Sequence, residues 1–277
     1  MKLGIRGHDL GMNTPEAFVQ SVKDAKLDSI QLVLPKAIQY SSETPLIKND
    51  QLVTELSREL EEKNVEVAMM GAYFNPIHSD VSKVEDAVAN FKEHLKKAPL
   101  FGTLLVGTET GSYNDDEWTW HENNQSEEAF QGVVDVFSDL LPVAKEAGTF
   151  LTIEPAYHHV ISTPKRLKRL IDVLGSENTQ VTFDLFNLLH DGNTGDQHKL
   201  IDEMVELFAD KIKIIHLKDF VLEEGKLVQV SPGQGNLDYP YLIEKVRNLP
   251  SKPQLIFEGV EGDDIETSRQ FISKLVG

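Results

Sequence analysis

The chain contains no cysteine. That absence removes disulfides, thiolate nucleophiles and Cys-ligated zinc or iron centres, and leaves carboxylate and imidazole as the side chains able to hold a metal. Basic residues are also few: 27 Lys and Arg stand against 45 Asp and Glu, a formal net charge of −18. A surface of that sign repels phosphate backbones and anionic headgroups, so neither nucleic acid nor a membrane is an expected partner. No window approaches the roughly 20 apolar residues of a membrane span. The opening MKLGIRGHDLG lacks a signal peptide's apolar run, which makes the cytoplasm the expected compartment. No G-x-G-x-x-G follows the first strand-like run and no Walker A sequence occurs, so nucleotide-binding doubly wound sheets lose their main support.

What is present is a regular alternation. Hydrophobic residues make up 40% of the 277, enough for a well-filled core and against disorder. Eight β-rich runs read as strands: KLGIRG, SIQLVL, VEVAMMGAY, TLLVGTE, TFLTIEP, QVTFDL, KIIHLKD and QLIFEG. Amphipathic stretches follow each of them, several opening on a capping residue and proline, as at Thr14-Pro15 and Thr163-Pro164, and one closing on Gly148. Eight strand–helix repeats over the whole chain predict a single-domain (β/α)₈ TIM barrel over residues 1–277, with an open doubly wound α/β sheet as the alternative. The longest irregular stretch, GSYNDDEWTWHENNQ at 111–125, is long enough for a lid over the barrel mouth.

In such a barrel the chemistry lies at the C-terminal ends of the strands. Those ends offer His8, Asn75, His78 and Glu109, then Glu154, Asp184 with Asn187 and His190, then His216, Lys218 and Asp219, and finally Glu258. His159 follows the fifth strand and joins the candidates. Glu154, Asp184, His216 and Glu258 each end an apolar run on four consecutive strands, so their side chains converge on a volume the size of one cation. Three carboxylates sharing that volume would repel one another and take up protons, and a divalent metal resolves the conflict. Oxygen-rich ligation with one imidazole suits Mn²⁺, with Mg²⁺, Co²⁺ and Fe²⁺ as close alternatives, better than a structural Zn²⁺ site. His94, His121 and His198 fall on helix or loop surface and read as solvated. GQGNLDY at 233–239 reads as a tight turn with Asp238 as helix N-cap, its backbone N–H groups being the alternative seat for a phosphate.

TIEP (152–155), FDLFN (183–187), IHLKD (215–219), GQGNLDY and IFEG (256–259), in that order, resemble the xylose isomerase-like TIM barrels. The resemblance runs over essentially the whole chain. It implies that Glu154, Asp184, His216 and Glu258 bind one divalent metal, often Mn²⁺, and that Glu154 and Glu258 act as the acid/base pair of a sugar isomerase or epimerase. Small carbohydrates would be the substrates, and homodimers or homotetramers the assemblies. Endonuclease-like relatives carry a histidine three residues beyond the position of Asp184, where this chain has Asn187, and an Asp-x-His after the seventh strand, which is lacking. Ketose 3-epimerases carry an arginine shortly after the seventh-strand histidine; HLKDFVLEEGK has none. A dehydratase acting on a keto-polyol is therefore the alternative chemistry, with Lys218, His190 or His159 as the acid. A sugar-binding barrel without catalysis is the reading from another class.

Overall fold

The computed structural model describes residues 1–175 and 177–277. All eight predicted strands form: β1 (Leu3–Arg6), β2 (Ser29–Leu32), β3 (Glu66–Gly71), β4 (Leu105–Thr108), β5 (Phe150–Ile153), β6 (Thr179–Asp184), β7 (Ile212–Leu217) and, after an antiparallel hairpin of β8 (Asp219–Glu223) and β9 (Lys226–Val230), β10 (Gln254–Phe257). The eight pair in parallel and close into a barrel in the order β1-β10-β7-β6-β5-β4-β3-β2, the hairpin standing apart. A helix packs outside after each barrel strand, from Pro15–Asp24 to Asp264–Val276. The caps expected at Thr14 and Thr163 form, each hydroxyl accepting the N–H three residues on, and Gly148 closes its helix in the left-handed region.

The strands have buried residues on both faces, as parallel strands covered by helices must. Ala68, Met69, Ile214 and Ile256 form a small cluster separate from the larger core, and this is the barrel's filling. Size alternates around it: a Cβ on Gly4 would lie 2.8 Å from Ile256 Cδ1, and one on Gly107 would meet Met69 at 2.6 Å. Glycine on β1 and β4 thus makes room for the large side chains of β3 and β10. Period 2 along a strand then dictates the next layer toward the C-terminal rim. Ile214 leads to His216, Ile256 to Glu258, Gly4 to Arg6 and Gly107 to Glu109, so the apolar plug is roofed by ionisable groups.

One expectation is corrected. His94, expected on the surface, is buried, because the helix Val81–Lys97 turns Phe91, His94 and Leu95 inward at i, i+3, i+4 spacing. Its Nδ1 meets the Asn90 carbonyl at 2.9 Å, and burial lowers its pKa to about 4. Beyond the eight strands read from the sequence, the residues after HLKD form the β8–β9 hairpin. VLEEGKLVQV has apolar residues on either side of a turn at Glu224 and Gly225, both at positive φ, a hairpin signal weakened by its short length. His121 and His198 are engaged at the surface: His121 caps a 3-10 turn at Glu122–Gln125, and His198 contacts Asp238 at 2.8 Å while stacked on Tyr241.

A candidate metal centre at the barrel mouth

Strand register assembles the centre. Asp184 on β6 lies directly across from His216 on β7, and Ile256 of β10 lies across from His216 on the other side, which sets Glu258 just beyond the strand end. Glu154 follows β5 in the same way. Because the barrel order runs β5-β6-β7-β10, the four side chains sit on consecutive strands with the two glutamates at the ends of the arc. One ligand atom from each lies within 4.8 Å of the other three, and Glu154, Asp184 and His216 are buried.

His216 stands at the centre of that arc. Its Nδ1 is 2.8 Å from Glu258 Oε2, 3.3 Å from Glu154 Oε1 and 3.7 Å from Asp184 Oδ2. Its Nε2 faces Gln31 Oε1 at 2.6 Å, while the Gln31 amide nitrogen donates to the Tyr73 hydroxyl at 2.7 Å. The Gln31 Oε1 therefore accepts a hydrogen bond from Nε2–H and turns Nδ1 toward the carboxylates, the orientation a metal-binding imidazole needs. Burial alone would lower the His216 pKa, but Glu154 and Glu258 outweigh it and raise it to about 10. This nest of carboxylates demands positive charge, and a proton or a divalent cation at Nδ1 would satisfy it. Asp184 fits the same reading. Its Oδ1 accepts from the Asn187 N–H at 3.1 Å, whereas the buried Oδ2 accepts no well-directed hydrogen bond, although the Lys218 ammonium lies 3.0 Å away. Three carboxylates, one oriented nitrogen and an under-used buried oxygen suit a hard divalent cation.

The residues predicted around the centre divide into two groups. Lys218 and Asn187 belong to it. The Lys218 Nζ is 2.7 Å from Glu258 Oε1 and donates to Asn187 Oδ1 at 3.0 Å, and the Asn187 amide donates to Glu154 Oε1 at 2.7 Å. Burial would depress Lys218, but Asp184, Glu258 and Glu154 outweigh it and keep the ammonium charged. Glu109 is pushed well above the usual carboxyl range by burial and by Glu154 and Glu258. His8 and His159 are held neutral: burial, aided by Arg6 for His8, lowers each to about 4. His190 lies to one side, stacked on Tyr157 with ring centroids 4.1 Å apart.

Three residues expected at the substrate are engaged otherwise. The Asn75 amide donates to the Ser112 and Asp115 carbonyls at 2.7 and 2.9 Å and so anchors the 111–125 loop. A Cβ on Gly111, at φ +68°, would lie 1.9 Å from Asn75 Oδ1, so that close approach requires glycine. His78 is tied into a rim network, 3.2 Å from Asp116, which Lys83 also contacts at 2.7 Å. Asp219 is buried, its carboxylate accepting from the N–H groups of Phe220, Gly233, Gly235 and Leu237 at 2.8–3.0 Å. The turn thus closes on an internal anion, and Asp238 caps the following helix through the Tyr241 N–H.

Sequence reasoning missed Gln31, Tyr73 and Arg6, whose guanidinium is 2.8 Å from Glu258 Oε1 and also bonded to Asp9. Their signal was a polar residue inside an apolar strand, as in SIQLVL.

Residues 19–275 match the family model described as xylose isomerase-like TIM barrel. The chain belongs to this family. Among solved structures, a D-tagatose 3-epimerase-like protein is 15% identical, covering 100% of this chain and 97% of its own, with a TM-score of 0.76. A xylose isomerase-like TIM barrel protein from Mycobacterium smegmatis, in complex with magnesium, is 16% identical over 94% of this chain and 87% of its own, TM-score 0.74. A probable 3-DHS dehydratase from Bacillus anthracis is 14% identical over 99% of both, TM-score 0.72. Identities this low carry the xylose isomerase-like fold and no more. No curated protein matches the chain by sequence. Among the described residues, no helix is long and apolar enough to cross a membrane.

Proposed function

We propose that the protein is a divalent-metal-dependent isomerase or epimerase of a sugar or sugar derivative, acting by proton abstraction beside a carbonyl. The observation that carries this reading is the pair of glutamates at the two ends of the ligand arc. Both reach His216 Nδ1, yet each has different partners: Glu154 an amide from Asn187, Glu258 the cations Arg6 and Lys218. Burial opposes ionisation of Glu258, but Lys218 and His216 outweigh it and hold its carboxyl well below the usual range. Glu154, Asp184, His216 and Glu258 would hold Mn²⁺ or a similar cation, which, when bound, would draw electron density from a substrate carbonyl and its neighbouring hydroxyl. One carboxylate takes the proton from the carbon between those oxygens, leaving an enediolate. The other, on the opposite side, having taken a proton from water, returns it to the same carbon from the other face or to its neighbour, and the first then releases its proton to water. Lys218 places a fixed positive charge where the enediolate oxygen develops.

The lyase alternative is supported by that same ammonium, an acid 2.7 Å from Glu258 able to protonate a departing β-hydroxyl. The C–H proton would pass to a carboxylate, the C–O bond would break, and the hydroxyl would leave as water. Incubating the Mn²⁺-loaded protein with ketoses and inososes in D₂O separates the two by mass. Incorporation of one deuterium per turnover is the expected result; loss of 18 mass units would identify the dehydratase, and no change with any sugar would reject both.

Metal binding is tested independently of turnover. Calorimetric titration should find one Mn²⁺ per chain, with no binding to His216→Ala. Gln31→Leu, which removes the partner of Nε2 and leaves the ligands in place, should bind about 10–100-fold more weakly, the usual cost of losing such an outer partner. Unchanged affinity in Gln31→Leu would show that the amide does not orient the imidazole.

A further inference from the structure

A cavity of about 380 Å³ opens beside the candidate centre. None of the four ligand residues lines it, and Asn187 is the shared wall, the same amide that bonds Glu154 and Lys218. A substrate whose reacting carbons lie at the ligands would therefore extend past Asn187 into this space. The far walls are aromatic. Tyr157 stacks on His190 with the rings inclined by 22°, and Phe186 also lines the cavity. The backbone keeps this platform in register with the centre, since the Tyr157 N–H donates to the Asn187 carbonyl at 2.7 Å. Lys226 and Leu227 of the β8–β9 hairpin complete the lining, and the Leu227 N–H is tied to Asp191 Oδ1 at 2.9 Å.

Two chemistries could fill such an extension, a phosphate or a second ring. A phosphate in a TIM barrel is usually held by backbone N–H groups of the loops after strands 7 and 8. In this chain the N–H groups of Gly233, Gly235 and Leu237 already point at the Asp219 carboxylate, so the turn is closed to an external anion. Lys226, exposed on the hairpin, is the one lysine or arginine lining the cavity. Flat aromatic faces with a few polar groups at their edges match instead the C–H face and rim hydroxyls of a pyranose. Resting on the isomerase reading above, we propose that the substrate is an unphosphorylated sugar carrying a second sugar ring, which seats on the Tyr157–His190 platform while the first ring reacts at the metal centre.

The test compares D-fructose, D-fructose 6-phosphate and four reducing glucosyl-fructoses, turanose, maltulose, leucrose and isomaltulose, using the Mn²⁺-loaded protein. Binding is read by calorimetry and turnover by deuterium exchange. At least one glucosyl-fructose should bind ten or more times tighter than either monosaccharide. Tyr157→Ala should erase that difference while leaving D-fructose within twofold, and Tyr157→Phe, which keeps the ring, should preserve it. Equal binding of D-fructose and all four disaccharides, tighter binding of the phosphate, or equal losses for both sugar types in Tyr157→Ala would overturn the proposal. The two readings fail differently. Tyr157-dependent disaccharide binding without exchange keeps the second-ring site and removes the isomerase. Exchange on D-fructose with no gain from a glucosyl group does the reverse.

Discussion

Glu258→Gln, assayed at saturating Mn²⁺ with metal content verified, is expected to exchange substrate deuterium about 10²–10⁴-fold more slowly than the wild type, the range that a positioned acid or base contributes. The substitution keeps the side chain's length and one ligand oxygen, and removes the ability to accept a proton. It also strips Lys218 and Arg6 of a carboxylate they contact at 2.7 and 2.8 Å, so melting temperature must be recorded beside the rate. Asp184 remains 3.0 Å from Lys218 and Asp9 remains paired with Arg6, which leaves both cations compensated and the fold intact. Glu154→Gln, at the other end of the arc, should show a loss of the same order. A wild-type exchange rate in Glu258→Gln would remove this residue from the chemistry and leave it a ligand only.

The second large effect concerns stability. Asp219→Ala should lower the unfolding free energy by about 4–6 kcal/mol, because four N–H groups lose a charged acceptor that contributes roughly 1.5–3 kcal/mol to each bond before relaxation. At about 2–4 °C per kcal/mol for a chain of this size class, thermal denaturation should move down by ~10–20 °C. The residues around Asp219 leave water little room to substitute: a Cβ on Gly235 would lie 2.4 Å from its Oδ1, so the turn is wrapped directly on the carboxylate. Asp219→Asn retains one acceptor oxygen but turns an NH₂ group toward the donors, and should cost about half as much. A loss below about 1 kcal/mol in Asp219→Ala would mean that the turn rehydrates freely, and its closure to external anions would then be in doubt too.

How much of this was legible beforehand can be argued residue by residue. The convergence of Glu154, Asp184, His216 and Glu258 was readable because each of them ends an apolar strand, and a charge in that position stays only where something compensates it. Lys218 and Asn187 were readable by adjacency to Asp184 and His216. Asn75, His78 and Asp219 satisfied the same positional rule yet proved to brace loops, since a strand end supplies N–H and C=O groups of neighbouring turns as readily as it supplies a substrate. His94 follows the phase of Phe91 and Leu95 on the inward face of its helix, and that phase outweighs the polarity of the imidazole.

The sequence by itself determined the eight-fold alternation, the caps that start and stop the helices, and the four ionisable residues that end consecutive strands, because periodicity and strand-end polarity are properties of neighbouring residues. Only the tertiary structure decided what the polar groups face. Gln31 reaches His216 across 185 positions of chain, and Arg6 meets Glu258 because barrel closure sets β1 beside β10. Whether the glycine-rich turn holds an outside phosphate or the protein's own Asp219 is likewise a matter of which acceptor lies within 3 Å of its N–H groups. The physical reason is the same in each case: hydrogen bonds and ion pairs act over a few ångströms of space, and closing the barrel brings distant parts of the chain to that range.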